Sequence, residues 1–326
     1  MAGPDGEAED RSPSESRQKP AVELGRQFET LSAEELLDRI LDLAKVLLAD
    51  VERQHKATFG QLAGVQTWGP MVAIVGCDPQ TGLRQVLSQA WETFELLVVG
   101  LERRMSSSAI GLVRFLLEAA ALARWLAEPQ DPEKRQARAY GLCLHALRRN
   151  IRAGNTFEKA LERNSAGRPD IQRILDEVKK VRDQMGNPLA EEEAEFVAQL
   201  KAIGVVPEML PSRIDLLTLY SKSGYDRFMS YSEVGSHPGP NFWPWLYQSR
   251  GDWARVSLRR VEVERAYWLA EGFVLFLEVC LRTAKVGGWE SSLDEIADGL
   301  GPESLELLSE ARARWPQRFI SSAERE

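Results

Sequence analysis

The sequence predicts an all-α protein, a multi-helix bundle with a central apolar helix at about residues 107–127. Three observations support this. Apolar residues recur at helical spacing over long segments, and helix-start signals precede several of those segments. Only the short apolar run 71–75 could pass for a strand.

The elements follow in order along the chain. Ser32 and Glu35 fit a capping box ahead of the first apolar run. Asp78-Pro79 and Asp131-Pro132 each supply an N-cap and a first helical residue. The predicted helices span about residues 32–55, 80–104, 107–127, 132 to 151 or beyond, 169–185, 189–203, 213–236, 252–284, 291–299 and 302–314.

The predicted organisation is one folded domain between two tails. Residues 1–27 are expected to form a disordered acidic tail, because the first 22 residues have almost nothing to bury. Residues 28–316 are expected to form a single all-α domain, and residues 317–326 a C-terminal tail.

Composition excludes several classes of function. The chain has 326 residues, 44% hydrophobic and 28% charged, with a net charge of −8 and a pI near 5.3. This acidity disfavours duplex DNA and anionic membranes as partners. No signal peptide or transmembrane segment is recognised, so a cytoplasmic location is the default.

Metal and cofactor sites are not predicted. The three cysteines are odd in number and far apart, and we expect neither a disulfide framework nor a zinc site from them. The three histidines lack metal-binding spacing, and no Walker or Rossmann glycine pattern is present.

The central helix carries Arg114 and Glu118 four residues apart, on one helical face among apolar residues. We expect both side chains to be drawn into the interior, where a charge must be paired. One interpretation is a structural brace between helices. The other is an anion-holding arginine oriented by the glutamate, with Arg124 further along as a second ligand contact.

A second candidate cluster lies at residues 225–240. Tyr231, Ser232 and His237 fall within a few turns, and Pro238 is expected to end the helix at His237. A histidine beside a helix C-terminus is favoured in its protonated form and could act as a general acid or base. The alternative is a histidine that only caps the last carbonyl groups.

The helix from Asp131 contains Arg138 and His145, separated by six residues. RNA-cutting members of the HEPN superfamily use an arginine and a histidine at this spacing, but a chance match is the better interpretation here. The same helix is locally basic, which indicates either a solvated charged face or a small phosphate-binding strip.

The motif Arg114-Phe-Leu-Leu-Glu118, followed by the distant Tyr231-Ser232-x4-His237-Pro, resembles a bacterial all-helical family of unknown function. Members of that family pair an R-x3-E helix with a helix end carrying serine and histidine, and some are regarded as distant HEPN-like domains. The resemblance covers roughly residues 85–285. It implies that Arg114, Glu118 and His237 meet in one polar pocket.

The sequence thus predicts a pocket that binds, and possibly cleaves, a phosphate-bearing ligand such as a nucleotide or RNA. Arg114 would hold the anion, Glu118 would orient Arg114, and His237 would donate or accept a proton. Tyr231 and Ser232 would contact the ligand. The alternative is a non-enzymatic interaction protein whose polar cluster is a brace and whose partner contacts include Trp243 and Trp245.

Overall fold

The computed structural model describes residues 31–59, 77–105, 109–185, 188–222, 224–235, 253–287 and 290–314. Within these ranges the chain forms α-helices and no strands, which confirms the predicted all-α class. The helices are α1 (Ala33–Phe59), α2 (Pro79–Glu102), α3 (Ala109–Ala127), α4 (Pro132–Asn164), α5 (Pro169–Met185), α6 (Pro188–Ala202), α7 (Arg213–Tyr220), α8 (Gly224–Gly235), α9 (Trp253–Gly287) and α10 (Glu290–Arg314).

The predicted helix starts are confirmed where local polar groups satisfy the first backbone N–H groups. In the capping box of α1, Glu35 N–H donates to Ser32 Oγ at 3.2 Å, and Ser32 N–H donates to Glu35 Oε2 at 2.8 Å. Asp78 accepts from Thr81 N–H at the start of α2, and Asp131 accepts from a backbone N–H at the start of α4.

The main core lies between α3, α9 and α2. The mean hydropathy of α3 is the highest of the ten helices, and its aliphatic side chains pack against both neighbours. Phe94 of α2 stacks on Phe276 of α9 with ring centroids 4.7 Å apart, and it meets Phe273 edge to face. Helices α1 and α10 cover the remaining sides of α9.

A smaller layer, formed by α4, α5 and α6, lies beside this bundle. Its own core contains Tyr140 and Leu144 of α4 with Phe196 and Leu200 of α6, and both sets are buried. A disulfide between Cys77, just before α2, and Cys143 of α4 links the layer to the bundle, with a Cα–Cα distance of 6.2 Å.

This disulfide corrects the expectation that the cysteines would not pair. Cys77 and Cys143 are 66 residues apart in sequence, and only the packing of α2 against α4 brings them together. Cys280 is buried in the main core as a free thiol, and burial raises the pKa of that thiol.

One predicted helix was wrong, and one predicted break was confirmed. The helix expected over 213–236 is two helices, because α7 ends at Tyr220 and α8 starts at Gly224. A Cβ at Gly224 would collide with the backbone carbonyl of Leu217, so this close approach requires glycine. The last helix bends at Gly301, where φ is +58°, just before Pro302. This bend falls between the two short helices predicted at 291–299 and 302–314.

Several predictions concern residues outside the described ranges. These are the tails at 1–27 and 317–326, His237, and the aromatic residues Trp243 and Trp245. None of the described helices is long and apolar enough to cross a membrane.

Candidate functional site

The predicted pair on the central helix lies at the surface of the bundle core. Arg114 Nε is 3.7 Å from Glu118 Oε1, and the two side chains are 25% and 31% exposed. Both side chains are therefore partly buried, and the expected full burial is not reached. Among the described residues, the short helices α7 and α8 pack on α3 beside this pair.

A second arginine, which the sequence analysis did not single out, approaches the same carboxylate. Pro211 and Ser212 precede α7, and Ser212 Oγ accepts from Asp215 N–H, which makes Arg213 the first helical residue. Arg213 Nε lies 3.4 Å from Glu118 Oε2, and the Arg213 side chain is 58% exposed. Glu118 thus lies between two guanidinium groups from different helices.

Both guanidinium groups also lie over one buried aromatic ring. Arg114 Cζ is 4.3 Å from the centroid of the Phe228 ring, and Arg213 Cζ is 5.4 Å from it. Phe228 is on α8, and the tight connection from α7 to α8 brings its ring beside the first turn of α7. A cation over an aromatic face is attracted by the ring quadrupole, which fixes where the guanidinium groups lie.

The resulting group, here called the arginine site, consists of Arg114, Arg213, Glu118 and Phe228. It carries two positive charges and one negative charge. The Arg213 guanidinium has no hydrogen-bond partner among the described residues, and more than half of the Arg213 side chain is exposed. The site can therefore offer N–H donors and a net positive charge to an anion.

Deeper in the molecule lies a charge cluster that the sequence analysis did not predict. Glu271 of α9 is only 1% exposed, and it forms ion pairs with Arg227 of α8 and Arg312 of α10. The distance from Arg312 Nε to Glu271 Oε2 is 2.9 Å. This cluster ties α8 and α10 to α9, which is the brace that one interpretation assigned to Arg114 and Glu118.

Arg124 lies away from the arginine site. Its guanidinium donates to the Tyr220 carbonyl at 3.0 Å and so holds the end of α7. Burial raises the pKa of the Tyr220 hydroxyl; Glu278 acts in the same direction, and three nearby arginines oppose it. Arg124 and Arg114 are about 15 Å apart along α3, at 1.5 Å per residue, and their guanidinium groups have different partners.

Arg138 is buried and serves the fold. Its guanidinium donates to the Trp125 carbonyl and to Glu208 Oε1, the latter at 2.9 Å, and it lies 5.1 Å from the Trp125 ring. His145 is two turns further along the same face of α4 and is half-buried. Because Arg138 already binds Trp125 and Glu208, its position fits the interpretation that the Arg138/His145 spacing is a chance match.

Three predicted site residues remain, and the described part of the structure shows no contact between them and the arginine site. Tyr231 and Ser232 lie on α8, about one turn beyond Phe228. Their side chains are not among those that the structure describes. His237 follows α8 by two residues, outside the described ranges. Across the described part of the chain, no group of three or more potential metal ligands comes together.

Comparison of the chain with protein-family models, with curated proteins and with solved structures gave no match. The resemblance to a bacterial, distantly HEPN-like family therefore stays a prediction. It depends on Arg114, Glu118, Tyr231, Ser232 and His237 alone.

Proposed function

We propose that the arginine site binds a phosphate-bearing ligand, such as a nucleotide or RNA. The observation that carries this proposal is the pairing of two guanidinium groups, Arg114 and Arg213, with a single carboxylate over the Phe228 ring. Guanidinium groups match the geometry of phosphate oxygens with paired N–H donors.

In this proposal each residue has a separate role. Arg114 and Arg213 hold the phosphate, and Glu118 orients both guanidinium groups. Tyr231 and Ser232, on the helix that carries Phe228, contact the ligand beyond the phosphate. His237 donates or accepts a proton if the ligand is cleaved. Arg124 contributes only to a ligand long enough to extend along α3.

A comparison within the chain supports a special role for this pair. Arg173 and Glu177 on α5 have the same spacing of four residues and the same 3.7 Å distance as Arg114 and Glu118. That pair, however, is well exposed on both sides, and within the described part of the chain it has no ion pair with a second arginine and no cation–π contact with an aromatic ring. An ordinary surface ion pair on a helix therefore lacks the features of the arginine site.

The test is a calorimetric titration of the full chain with ATP and with pyrophosphate. Arg114→Gln and Arg213→Gln should each weaken binding by about 10- to 150-fold, because each removes a charge-assisted hydrogen bond of about 1.5–3 kcal/mol. Arg173→Gln is the matched control and should bind like the wild type. The proposal fails if the wild type binds neither probe, or if the control loses as much affinity as the two site variants.

Cleavage is tested separately with a short oligouridine. His237→Ala should abolish product formation while leaving the affinity for ATP within about twofold, since a proton-transfer residue contributes mainly to the rate. If product formation is unchanged in His237→Ala, the proposal reduces to binding without catalysis.

We extend the proposal to a cytoplasmic location, where nucleotides and RNA are present. The Cys77–Cys143 disulfide is the feature that opposes it, because disulfides persist mainly in oxidising compartments. Alkylation of thiols in intact cells, followed by mass spectrometry, distinguishes a reduced cytoplasmic form from an oxidised one.

A further inference from the structure

The second half of α4 has an exposed face that carries only positive charge. Arg149, Arg152, Lys159 and Arg163 are all exposed. At 3.6 residues per turn they fall within an arc of about 80°, over a length of about 21 Å. Thr156 lies between them on the same arc. We call these four cations the basic face of α4.

The basic face points away from the rest of the α4–α6 layer. The opposite side of α4 packs on α5 and α6, where Glu162 pairs with Lys179 at 2.9 Å and Glu158 pairs with Arg182. These are the only two carboxylates in residues 145–164. Because both are used against α5, none is left to neutralise the basic face.

The four cations have no ion pair with any residue in the described part of the chain. Arg148 lies about 20° beyond the Lys159 edge of this arc, and it pairs with Glu193 of α6 at 2.7 Å. Like charges three and four residues apart on a helix destabilise it. An acidic protein, with a net charge of −8, thus keeps an unneutralised row of cations on one helix.

An aromatic side chain flanks this row. Phe157 is 56% exposed and lies about 80° around α4 from Arg149, the nearest edge of the row, and about 160° from Lys159, the far edge. A positively charged track with an exposed aromatic ring is the arrangement that binds single-stranded nucleic acids, because phosphates meet the cations and bases stack on the ring. Insertion into a lipid surface would need a free apolar helix face, and that face of α4 already packs on α5 and α6.

We propose that the basic face of α4, together with Phe157, binds single-stranded nucleic acid. Its four cations contact successive phosphates, and the Phe157 ring stacks on a base. This surface is separate from the arginine site, and the argument does not use the function proposed for that site.

The experiment measures binding of a fluorescent oligouridine to the full chain by anisotropy at several salt concentrations. For a single strand, the logarithm of the binding constant should fall linearly with the logarithm of the salt concentration, with a slope of about −0.7 per phosphate contact. Arg149→Gln/Arg152→Gln and Lys159→Gln/Arg163→Gln should each lower the magnitude of that slope by about 1.4. Phe157→Ala should weaken binding about tenfold with the slope unchanged, since it removes stacking and no charge.

Arg173→Gln/Lys180→Gln is the matched control, because it removes two exposed cations from α5, and it should behave like the wild type. Circular dichroism of every variant checks that the exposed substitutions leave the helices intact. The proposal is overturned if the control loses as much affinity as the α4 variants, or if Phe157→Ala binds like the wild type. It is also overturned if the full chain binds polyglutamate or anionic vesicles more tightly than oligouridine and the α4 variants lose that binding.

The two proposals fail in different ways. If Arg114→Gln and Arg213→Gln abolish oligouridine binding while the α4 variants do not affect it, the basic face is not a binding surface and the arginine site stands. If the α4 variants abolish oligouridine binding and the wild type does not bind ATP, the basic face is a binding surface and the arginine site is not.

Discussion

Replacing Glu271 by glutamine should be among the most damaging single substitutions of a charged residue in this protein. Glutamine keeps the size of the side chain and one acceptor oxygen, but it removes the charge and replaces the other oxygen by an NH2 donor. Arg227 and Arg312 would then face a buried neutral amide in place of the carboxylate that now pairs with both.

The magnitude follows from the burial of the three groups. Removing one partner of a buried ion pair costs about 3–5 kcal/mol, because an uncompensated charge remains in a poorly solvated place. Arg312 is partly exposed, and its guanidinium can turn to water. Arg227 is mostly buried and cannot do so as readily. We therefore expect a loss of about 3 kcal/mol in the free energy of unfolding, the lower end of that range.

Urea unfolding followed by circular dichroism measures this loss, with Glu278→Gln as the matched control. Glu278 lies two turns further along α9 and pairs with Arg282 at 2.8 Å, four residues away and partly exposed. Its replacement should cost about 0.5 kcal/mol. Adding Arg227→Met to Glu271→Gln should restore much of the lost stability, because it removes the unpaired charge.

A loss below about 1 kcal/mol for Glu271→Gln would refute this reasoning, since it would mean that the cluster is solvated. So would a double variant whose loss equals the sum of the two single losses. Additivity of that kind indicates that the two residues do not interact.

Three further predictions concern stability. Gly141→Ala should destabilise the protein by about 1–3 kcal/mol, because its Cβ would collide with a backbone carbonyl of the segment that follows α6. Gly154→Ala, on the same helix with open space around it, should stabilise by up to about 1 kcal/mol; urea unfolding measures both. Reduction of the Cys77–Cys143 disulfide, whose cysteines are 66 residues apart, should lower the free energy of unfolding by about 4 kcal/mol, measured with and without reductant. The capping hydrogen bonds from Ser32 lower the pKa of Glu35. The contribution of Glu35 to the free energy of unfolding is therefore present above the ordinary pKa of a carboxyl group, and it is lost as the pH falls through the lowered pKa. Urea unfolding of Glu35→Gln and of the wild type across acidic pH measures this contribution.

Each has a clear contrary outcome. Equal effects of the two glycine substitutions would mean that α4 has room at position 141. Three alkylated thiols in the unreduced, denatured protein, where one is expected, would show that the disulfide is absent. A Glu35→Gln variant that follows the wild type at every acidic pH would show that the capping box contributes nothing.

The fold class and most helix starts could be predicted because their causes are local. The capping box at Ser32 and Glu35 depends on residues three positions apart, and it formed as predicted. The same holds for Asp78 and Asp131 ahead of their prolines. The break between α7 and α8 was missed because the chain turns back on itself there, and Gly224 is needed only through its contact with Leu217.

The charge clusters were harder to predict, since their causes are long-range. Arg114 and Glu118 were expected to be buried because their helix is so apolar, and the structure shows both side chains partly buried. Glu271 also interrupts an apolar run, and the same argument would have indicated it. Its partners come from two other helices, and no spacing within the sequence indicates either of them.

The use of guanidinium groups at the arginine site has a physiological consequence. Arginine keeps its positive charge at every pH that a living cell experiences, unlike histidine. Acidification of the surroundings would therefore not release an anion held by Arg114 and Arg213, whereas a rise in ionic strength would weaken the attraction. Occupancy there should track the abundance of the anion and the salt content of the compartment.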